Sequence, residues 1–94
     1  MSRAEPEPYE VAWSPGALRA LDAMPPKVAS AVIELVFGAM AQEPHRVGKP
    51  LHFELEGSRS ARRGTFRVIY AIDDDARRLR IERVAHRSDA YRPR

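Results

Sequence analysis

The sequence contains no cysteine among its 94 residues. Disulfide bridges and thiol nucleophiles are therefore excluded, and a cytoplasmic location is permitted. No apolar run approaches the roughly 20 residues that a membrane-spanning helix needs, so no membrane association is expected. The N-terminal stretch MSRAEPEPYE lacks the apolar centre of a secretory signal. We expect one cytoplasmic domain over residues 1–94, in which residues 1–8 are an extended lead-in.

The charged residues are distributed unevenly along the chain. Residues 1–47 carry a formal charge of −2, whereas residues 48–94 carry +5. A basic half of this kind favours a polyanionic partner, which is either a nucleic acid or an acidic protein segment. A solvated charged surface has the same composition, so charge by itself does not decide between binding and simple solubility.

The first half of the chain predicts one strand and two helices. The alternation of Tyr9–Trp13 is typical of a half-buried strand. Ser14 as N-cap and Pro15 at the first helical position begin a short helix, which Pro25 ends. A second helix is expected from about Pro26 to Ala41. Apolar residues cover most of its circumference, so it is either well buried or has one face for a partner.

The second half predicts an antiparallel sheet. Residues 42–50 contain two prolines and one glycine and indicate a loop. Residues 51–55 alternate briefly, which predicts a short strand or an extended segment at the sheet edge. The following strands are expected at residues 59–63, 65–72 and 79–85. The order of elements predicts an α+β fold, with an N-terminal strand, a helical hairpin and a three- to four-stranded antiparallel sheet whose second face is open.

Two local patterns refine the expected sheet. In residues 65–72 the large apolar side chains share one face and Arg67 lies on the other. In the last strand the apolar phase breaks between Ile81 and Val84. A bulge near Glu82 and Arg83 would reconcile the two, and bulges often reorient side chains beside functional sites.

Candidate catalytic residues follow from the chemistry of cutting RNA without a metal. The reaction needs a proton acceptor for the 2′-hydroxyl, a cation at the phosphorane and a proton donor for the leaving oxygen. Arg67 fits the second role, because its planar fork matches phosphate oxygens. His86 fits the first or third. Arg87 follows it, and Tyr91 can stack on a base or transfer a proton. The alternatives are an exposed sheet arginine and a solvated tail.

Further basic residues are candidates for phosphate contacts, which provide affinity rather than chemistry. These RNA-binding candidates are Lys49, Arg59, Arg62 and Arg63. Neither a metal site nor a cofactor is expected. The acidic run Asp73–Asp75 is interpreted as a hairpin turn, since consecutive carboxylates on a turn mostly diverge into water. His45 and His52 lack the neighbouring ligands of a metal site, and Gly48-Lys49 lacks the context of a phosphate-binding loop.

The chain resembles the RelE/ParE toxin superfamily of bacterial type II toxin–antitoxin systems from Tyr9 to Tyr91. The motifs that carry the resemblance are GKPL at residues 48–51, FRVIYAID at residues 66–73, and IERVAHR at residues 81–87 followed by Tyr91. The resemblance implies a microbial RNase fold and a cognate antitoxin. It also implies a metal-independent endoribonuclease of the RelE-like mRNA interferase branch, which cleaves mRNA in the decoding site of the ribosome.

The resemblance also implies roles for individual residues. Arg67 matches the strand arginine at the scissile phosphate, Arg87 the arginine after the last strand, and Tyr91 the C-terminal tyrosine. His86 matches a position that is often His or Lys. Two lysines of the founding toxins are replaced here by Ser58 and Ser60.

The general base therefore stays open between His86 and the glutamates Glu54 and Glu56. Two alternative functions also stay open. One is a ParE-like toxin that inhibits DNA gyrase without cutting RNA, and the other is a non-enzymatic RNA-binding module.

Overall fold

A computed structural model describes residues 7–52 and 57–86 of the chain. Its elements, in chain order, are β1 (Glu10–Trp13), α1 (Pro15–Ala23), α2 (Pro26–Leu35), a π-helical turn (Val36–Met40), α3 (Pro44–Val47), β2 (Lys49–Pro50), β3 (Ser58–Arg63), β4 (Phe66–Asp73) and β5 (Arg78–His86).

Within the described residues, five strands form one sheet in the order β1-β5-β4-β3-β2. β1 runs parallel to β5, and the other neighbours are antiparallel. The α+β class and the main strands are confirmed, and the four antiparallel strands after the helices are the upper end of the expected three to four, although one of them lies outside the predicted segments. The missed strand is Lys49–Pro50, which the sequence placed in a loop. Proline is tolerated there because β2 is an edge strand, where its missing N–H leaves no ladder bond unmade.

The helical hairpin forms as its capping residues predict. The Ser14 hydroxyl accepts a hydrogen bond from the Ala17 backbone N–H at 3.0 Å, and Pro15 occupies the first turn of α1. Met24 and Pro25 then separate α1 from α2. α2 continues through the π-helical turn, and the buried residues Val32, Leu35 and Val36 follow the i, i+3, i+4 spacing of one helix face. Val36 is fully buried, whereas Phe37 is 52% exposed.

The core lies between the helices and one face of the sheet. β4 alternates as expected, with Phe66, Val68 and Tyr70 buried and Arg67 exposed. The neighbouring strands add Ala61, Leu79, Ile81 and Val84, and the helices add Val32, Leu35, Val36 and Met40. The β3–β4 hairpin is tight, because Gly64 adopts a positive φ of 57° that glycine allows without strain.

A buried contact attaches the segment around α3 to the sheet. The Tyr70 hydroxyl donates a hydrogen bond to the Pro44 carbonyl at 2.7 Å, and its ring lies against Gly48. A Cβ atom at Gly48 would lie 2.6 Å from the Tyr70 hydroxyl and 2.9 Å from the Ser60 carbonyl oxygen. Only glycine therefore fits at the start of β2.

Replacing Gly48 should destabilise the fold through this contact. We expect Gly48→Ala to lower the free energy of unfolding by about 2 kcal/mol, because the Ser60 backbone and the hydrogen-bonded Tyr70 cannot both retreat. Urea unfolding of the purified variant measures the change. Gly38→Ala is the matched control, since a Cβ there meets nothing within 4 Å. Equal stability of the two variants would contradict the steric explanation.

Candidate nucleic-acid interface

The sheet face opposite the helices, called here the open face, is built by alternate residues of neighbouring strands. Strand register assigns side chains to it, because directly paired residues share a face. Arg62 pairs with Arg67, and Arg67 pairs with Ala85. The next row towards the sheet centre is Lys49, Ser60, Ile69 and Arg83. Two adjacent rows thus bring four cationic residues together at one end of the sheet.

We call Lys49, Arg62, Arg67 and Arg83 the cationic end. All four are exposed. Among residues 7–52 and 57–86, none of them forms an ion pair, since the ion pairs found there involve other basic residues. Arg62 and Arg67 are directly opposed, and like charges in such a pair repel. A bound anion would relieve this repulsion, so the arrangement is suited to phosphate.

The predicted bulge is present and adds Arg83 to this group. Ile69 pairs with Arg83, whereas the next residue, Tyr70, pairs with Ile81, so Glu82 is the extra residue. The sequence analysis identified the bulge but not Arg83 as a site residue. The phase break between Ile81 and Val84 predicts the bulge. It does not predict that Arg83 lies beside Arg67, because the residue that Arg83 faces depends on its register with β4.

Two of the predicted RNA-binding residues lie elsewhere. Arg59 pairs with Tyr70 on the helix side of the sheet, and its guanidinium donates hydrogen bonds to the carbonyls of His45, at 2.8 Å, and Gly48, at 2.5 Å. The Arg59 side chain therefore connects β3 to α3 through these hydrogen bonds. Arg63 pairs with Phe66, so it also belongs to the helix side, although it is exposed at the hairpin.

His86 is the last residue of β5 and pairs with Phe66, whereas Arg67 pairs with the preceding residue Ala85. Register therefore places His86 on the helix side at the same end of the sheet. Its Nε2 lies 3.1 Å from the Thr65 hydroxyl in the hairpin turn. Strand β5 ends at His86, one residue beyond the predicted end, so alternation places His86 on the face opposite to Ala85. The predicted residues Arg87 and Tyr91, like Glu54 and Glu56, lie outside the described residues.

The acidic turn between β4 and β5 is at the opposite end of the sheet. The Asp74 carboxylate accepts a hydrogen bond from the Tyr9 hydroxyl at 2.6 Å and lies 2.9 Å from His45 Nε2. The Arg77 guanidinium stacks 4.4 Å above the Tyr9 ring. These contacts hold the pKa of Asp74 below its ordinary value of 3.8, with the Tyr9 hydrogen bond as the largest cause. The same bond raises the pKa of Tyr9.

Residues 7–52 and 57–86 contain no group of three or more His, Cys, Asp or Glu side chains arranged to hold a metal ion. In the same part of the chain, no helix is long and apolar enough to cross a membrane.

Comparison with known proteins identifies the class of this fold. The family model for the ParE toxin of type II toxin-antitoxin systems, parDE, matches residues 11–91. The chain is 49% identical over 89 residues to toxin RelE of Mycobacterium tuberculosis, which covers 95% of this chain and 92% of that protein. It is 51% identical over 85 residues to toxin RelG of the same organism, with coverage of 90% and 98%.

Solved structures agree with these relatives. A chain in the toxin–antitoxin complex RelBE2 from Mycobacterium tuberculosis is 50% identical, with a TM-score of 0.83 and coverage of 87% of this chain and 94% of that one. The isolated E. coli RelE toxin has a TM-score of 0.69 at 11% identity, with 83% of each chain covered, which shows a shared fold alone. The fold defines a RelE-type toxin.

The chain belongs to the ParE toxin family and is a toxin of a type II toxin–antitoxin system. The resemblance noted from its motifs is therefore confirmed.

The contacts of Asp74 predict a loss of stability in acid. Because the folded-state pKa lies below 3.8, the stabilisation is present above the unfolded-state value and is lost as pH falls through the folded-state pKa. We expect Tyr9→Phe to move the Asp74 pKa back towards 3.8, which NMR titration of the side-chain carboxyl carbon measures. An unchanged titration in Tyr9→Phe would contradict the assignment. Asp74→Asn is the control, since in that background Tyr9→Phe should no longer alter the acid dependence of stability.

Proposed function

We propose that this toxin is a metal-independent endoribonuclease that cleaves mRNA on the ribosome and thereby arrests growth. The observation that supports this most directly is the cationic end, in which Arg62 and Arg67 oppose each other without an acidic partner among the described residues. The relatives RelE and RelG are named as toxins, and the resemblance of the motifs to RelE-like toxins implies an activity on mRNA.

The chemistry assigned to the site is transfer of a phosphate ester within the RNA. The 2′-oxygen attacks the adjacent phosphorus as its proton passes to a base, and the 5′-oxygen leaves with a proton supplied by an acid. Arg67 stabilises the phosphorane, because its guanidinium is always charged and its backbone is held in the central strand. Arg62 and Lys49 hold neighbouring phosphates.

The proton-transfer residues are proposed from the family motif. His86 lies at the same end of the sheet as Arg67 but on the helix side, so it can act on RNA that passes around the end of the sheet. Arg87 is proposed as a second phosphate ligand, and Tyr91 as a residue that stacks on a base or transfers a proton. The ribosome would supply the extended mRNA conformation that in-line attack requires.

A cell-free translation reaction tests this function. We expect the purified toxin to cut mRNA between codon bases only when ribosomes are present, with the new 5′ ends mapped by primer extension. Arg67→Ala should reduce the cleavage rate about 100-fold or more, since removing one donor to a transition-state oxyanion has an effect of that size. His86→Gln separates a proton-transfer role from phosphate binding, because it should lower the maximal rate without changing the half-saturating toxin concentration.

Arg78→Ala is the matched control, because Arg78 is an exposed β5 arginine that pairs with Glu10 at the far end of the open face. Intact mRNA with normal translation would reject the proposal. A gyrase supercoiling assay would then test the ParE-like alternative, since the matching family model is that of the ParE toxins. RNA binding without cleavage would instead support a non-enzymatic RNA-binding module.

We propose a cognate antitoxin as the protein partner, as in the RelBE2 complex of the 50% identical relative. The helices provide a candidate surface for it. Leu18 on α1, Ile33 on α2 and Phe37 in the π-helical turn are 47%, 42% and 52% exposed. Phe37 also packs against Trp13, with ring centroids 6.1 Å apart. Ile33 and Phe37 are four residues apart and therefore neighbours on the helix surface, and exposed large apolar side chains of this kind are typical of protein-binding surfaces.

Calorimetry with the antitoxin encoded beside the toxin tests this surface. We expect Phe37→Ser to weaken binding by about 2 kcal/mol or more, the usual effect of truncating a central aromatic residue of an interface. Arg78→Ala on the open face is again the control. Antitoxin binding that is unaffected in both Phe37→Ser and Ile33→Asn would place the interface elsewhere.

A further inference from the structure

The bulge in β5 is an insertion that the hydrophobic alternation of the strand does not require. On one side of it Ile69 pairs with Arg83, and on the other Tyr70 pairs with Ile81. Removing Glu82 would leave these pairs consecutive and would still place Ile81 and Val84 in the core. A bulge interrupts the hydrogen-bond ladder and leaves its extra residue unpaired. The presence of Glu82 therefore calls for an explanation beyond packing.

Glu82 is held by side chains from three other positions in the sheet and its flanks. Its backbone carbonyl accepts a hydrogen bond from the Ser14 hydroxyl at 3.0 Å, which connects the bulge to the start of α1. One carboxylate oxygen accepts a hydrogen bond from the Ser58 hydroxyl at 2.7 Å. The other accepts one from the Arg80 guanidinium at 2.9 Å. Both oxygens are thus engaged, and the side chain is only 26% exposed.

The position of Ser58 and Arg80 shows where this carboxylate lies. Both residues pair with Ala71, so all three belong to one row of the open face. The small Ala71 side chain leaves room for Ser58 on one side and Glu82 on the other to meet above β4. The Glu82 carboxylate is therefore on the same face as the cationic end. The next residue in the sequence is Arg83.

The Glu82 contacts have an electrostatic consequence for Arg83. A free carboxylate on the adjacent residue would be the natural partner of Arg83 and would cancel its charge. Arg80 forms that ion pair instead, so Arg83 has no acidic partner within residues 7–52 and 57–86. Arg83 is a diagonal neighbour of Arg67, a separation that long side chains span easily.

We propose that Arg83 binds an RNA phosphate beside the one held by Arg67, and that Arg80 is a positioning residue that keeps Glu82 from neutralising Arg83. This inference rests on the proposed function, because it assigns a further ligand to the same RNA. Arg80 does not contact RNA in this arrangement. It acts through Glu82, as the counterion that leaves the charge of Arg83 available.

Single-turnover cleavage of mRNA on purified, programmed ribosomes tests both roles. The half-saturating toxin concentration reports binding, and the maximal rate reports chemistry. We expect Arg83→Gln to raise the half-saturating concentration about tenfold, as for the loss of one charge-assisted hydrogen bond, with a smaller change in the maximal rate. Arg80→Ala should raise it several-fold, because the released Glu82 carboxylate then pairs with Arg83.

Double variants separate this mechanism from a general effect of charge. Arg80→Ala combined with Glu82→Gln should restore the native half-saturating concentration, because no carboxylate remains beside Arg83. Arg80→Ala combined with Glu10→Gln has the same net charge but should stay impaired. Arg78→Ala removes one exposed arginine and releases a different carboxylate, that of Glu10, and should behave as native toxin. Thermal unfolding of each variant reports whether its fold is retained.

The outcomes distinguish the inference from the function on which it rests. Native toxin that cuts mRNA and loses this activity in Arg67→Ala, while Arg83→Gln behaves as native, would overturn the inference alone. Failure of Glu82→Gln to rescue Arg80→Ala would overturn the counterion role of Arg80. Native toxin that cuts no mRNA would overturn the proposed function and this inference together. Arg83 is exposed on an ordered strand, so Arg83→Gln should fold normally and keep the first comparison interpretable.

Discussion

Alternation along the central strand β4 is the constraint on which the rest of the structure depends. Phe66, Val68 and Tyr70 face the helices and are almost completely buried, so they hold the sheet and the helical layer together. Every second residue must then face the opposite way, which places Arg67 on the open face. Because successive side chains alternate between the two faces, a shift of one residue in β4 would exchange them. Burial of the apolar set therefore fixes the orientation of the arginine.

The open face has unequal charge at its two ends, and the ion pairs are distributed in the same way. Towards the acidic turn, Arg78 and Arg80 each have a carboxylate partner. At the hairpin end, Arg62, Arg67 and Arg83 have none among the described residues. Opposed arginines cost stability unless an anion lies between them, whereas arginine side chains so arranged are suited to phosphate oxygens. An arrangement that is unfavourable for folding thus lies at the end of the sheet where we propose that RNA binds.

Sequence reasoning succeeded where the structural signal was local. The Ser14 cap, the proline between the two helices and the bulge at Glu82 each depend on a few adjacent residues, and all are present. It failed where distant segments decide the outcome. Arg59 was predicted to contact RNA phosphates, yet its guanidinium donates hydrogen bonds to the carbonyls of His45 and Gly48, in and directly after α3. His86 looked like a neighbour of Arg67, but the register of β5 places it on the other side.

The sequence by itself determined the α+β class, the alternation of β4 and the exposure of Arg67, because period and capping are properties of adjacent residues. Only the tertiary structure decided which basic residues form one site. Pairing across four strands brings Lys49 and Arg83 to the same end of the sheet as Arg62 and Arg67. Ser58 and Arg80 donate hydrogen bonds to the Glu82 carboxylate, which is therefore not paired with Arg83. Lys49 and Arg83 are 34 residues apart along the chain, and Ser58 and Glu82 are 24 apart. Their proximity depends on strand register, which long-range packing of the core selects.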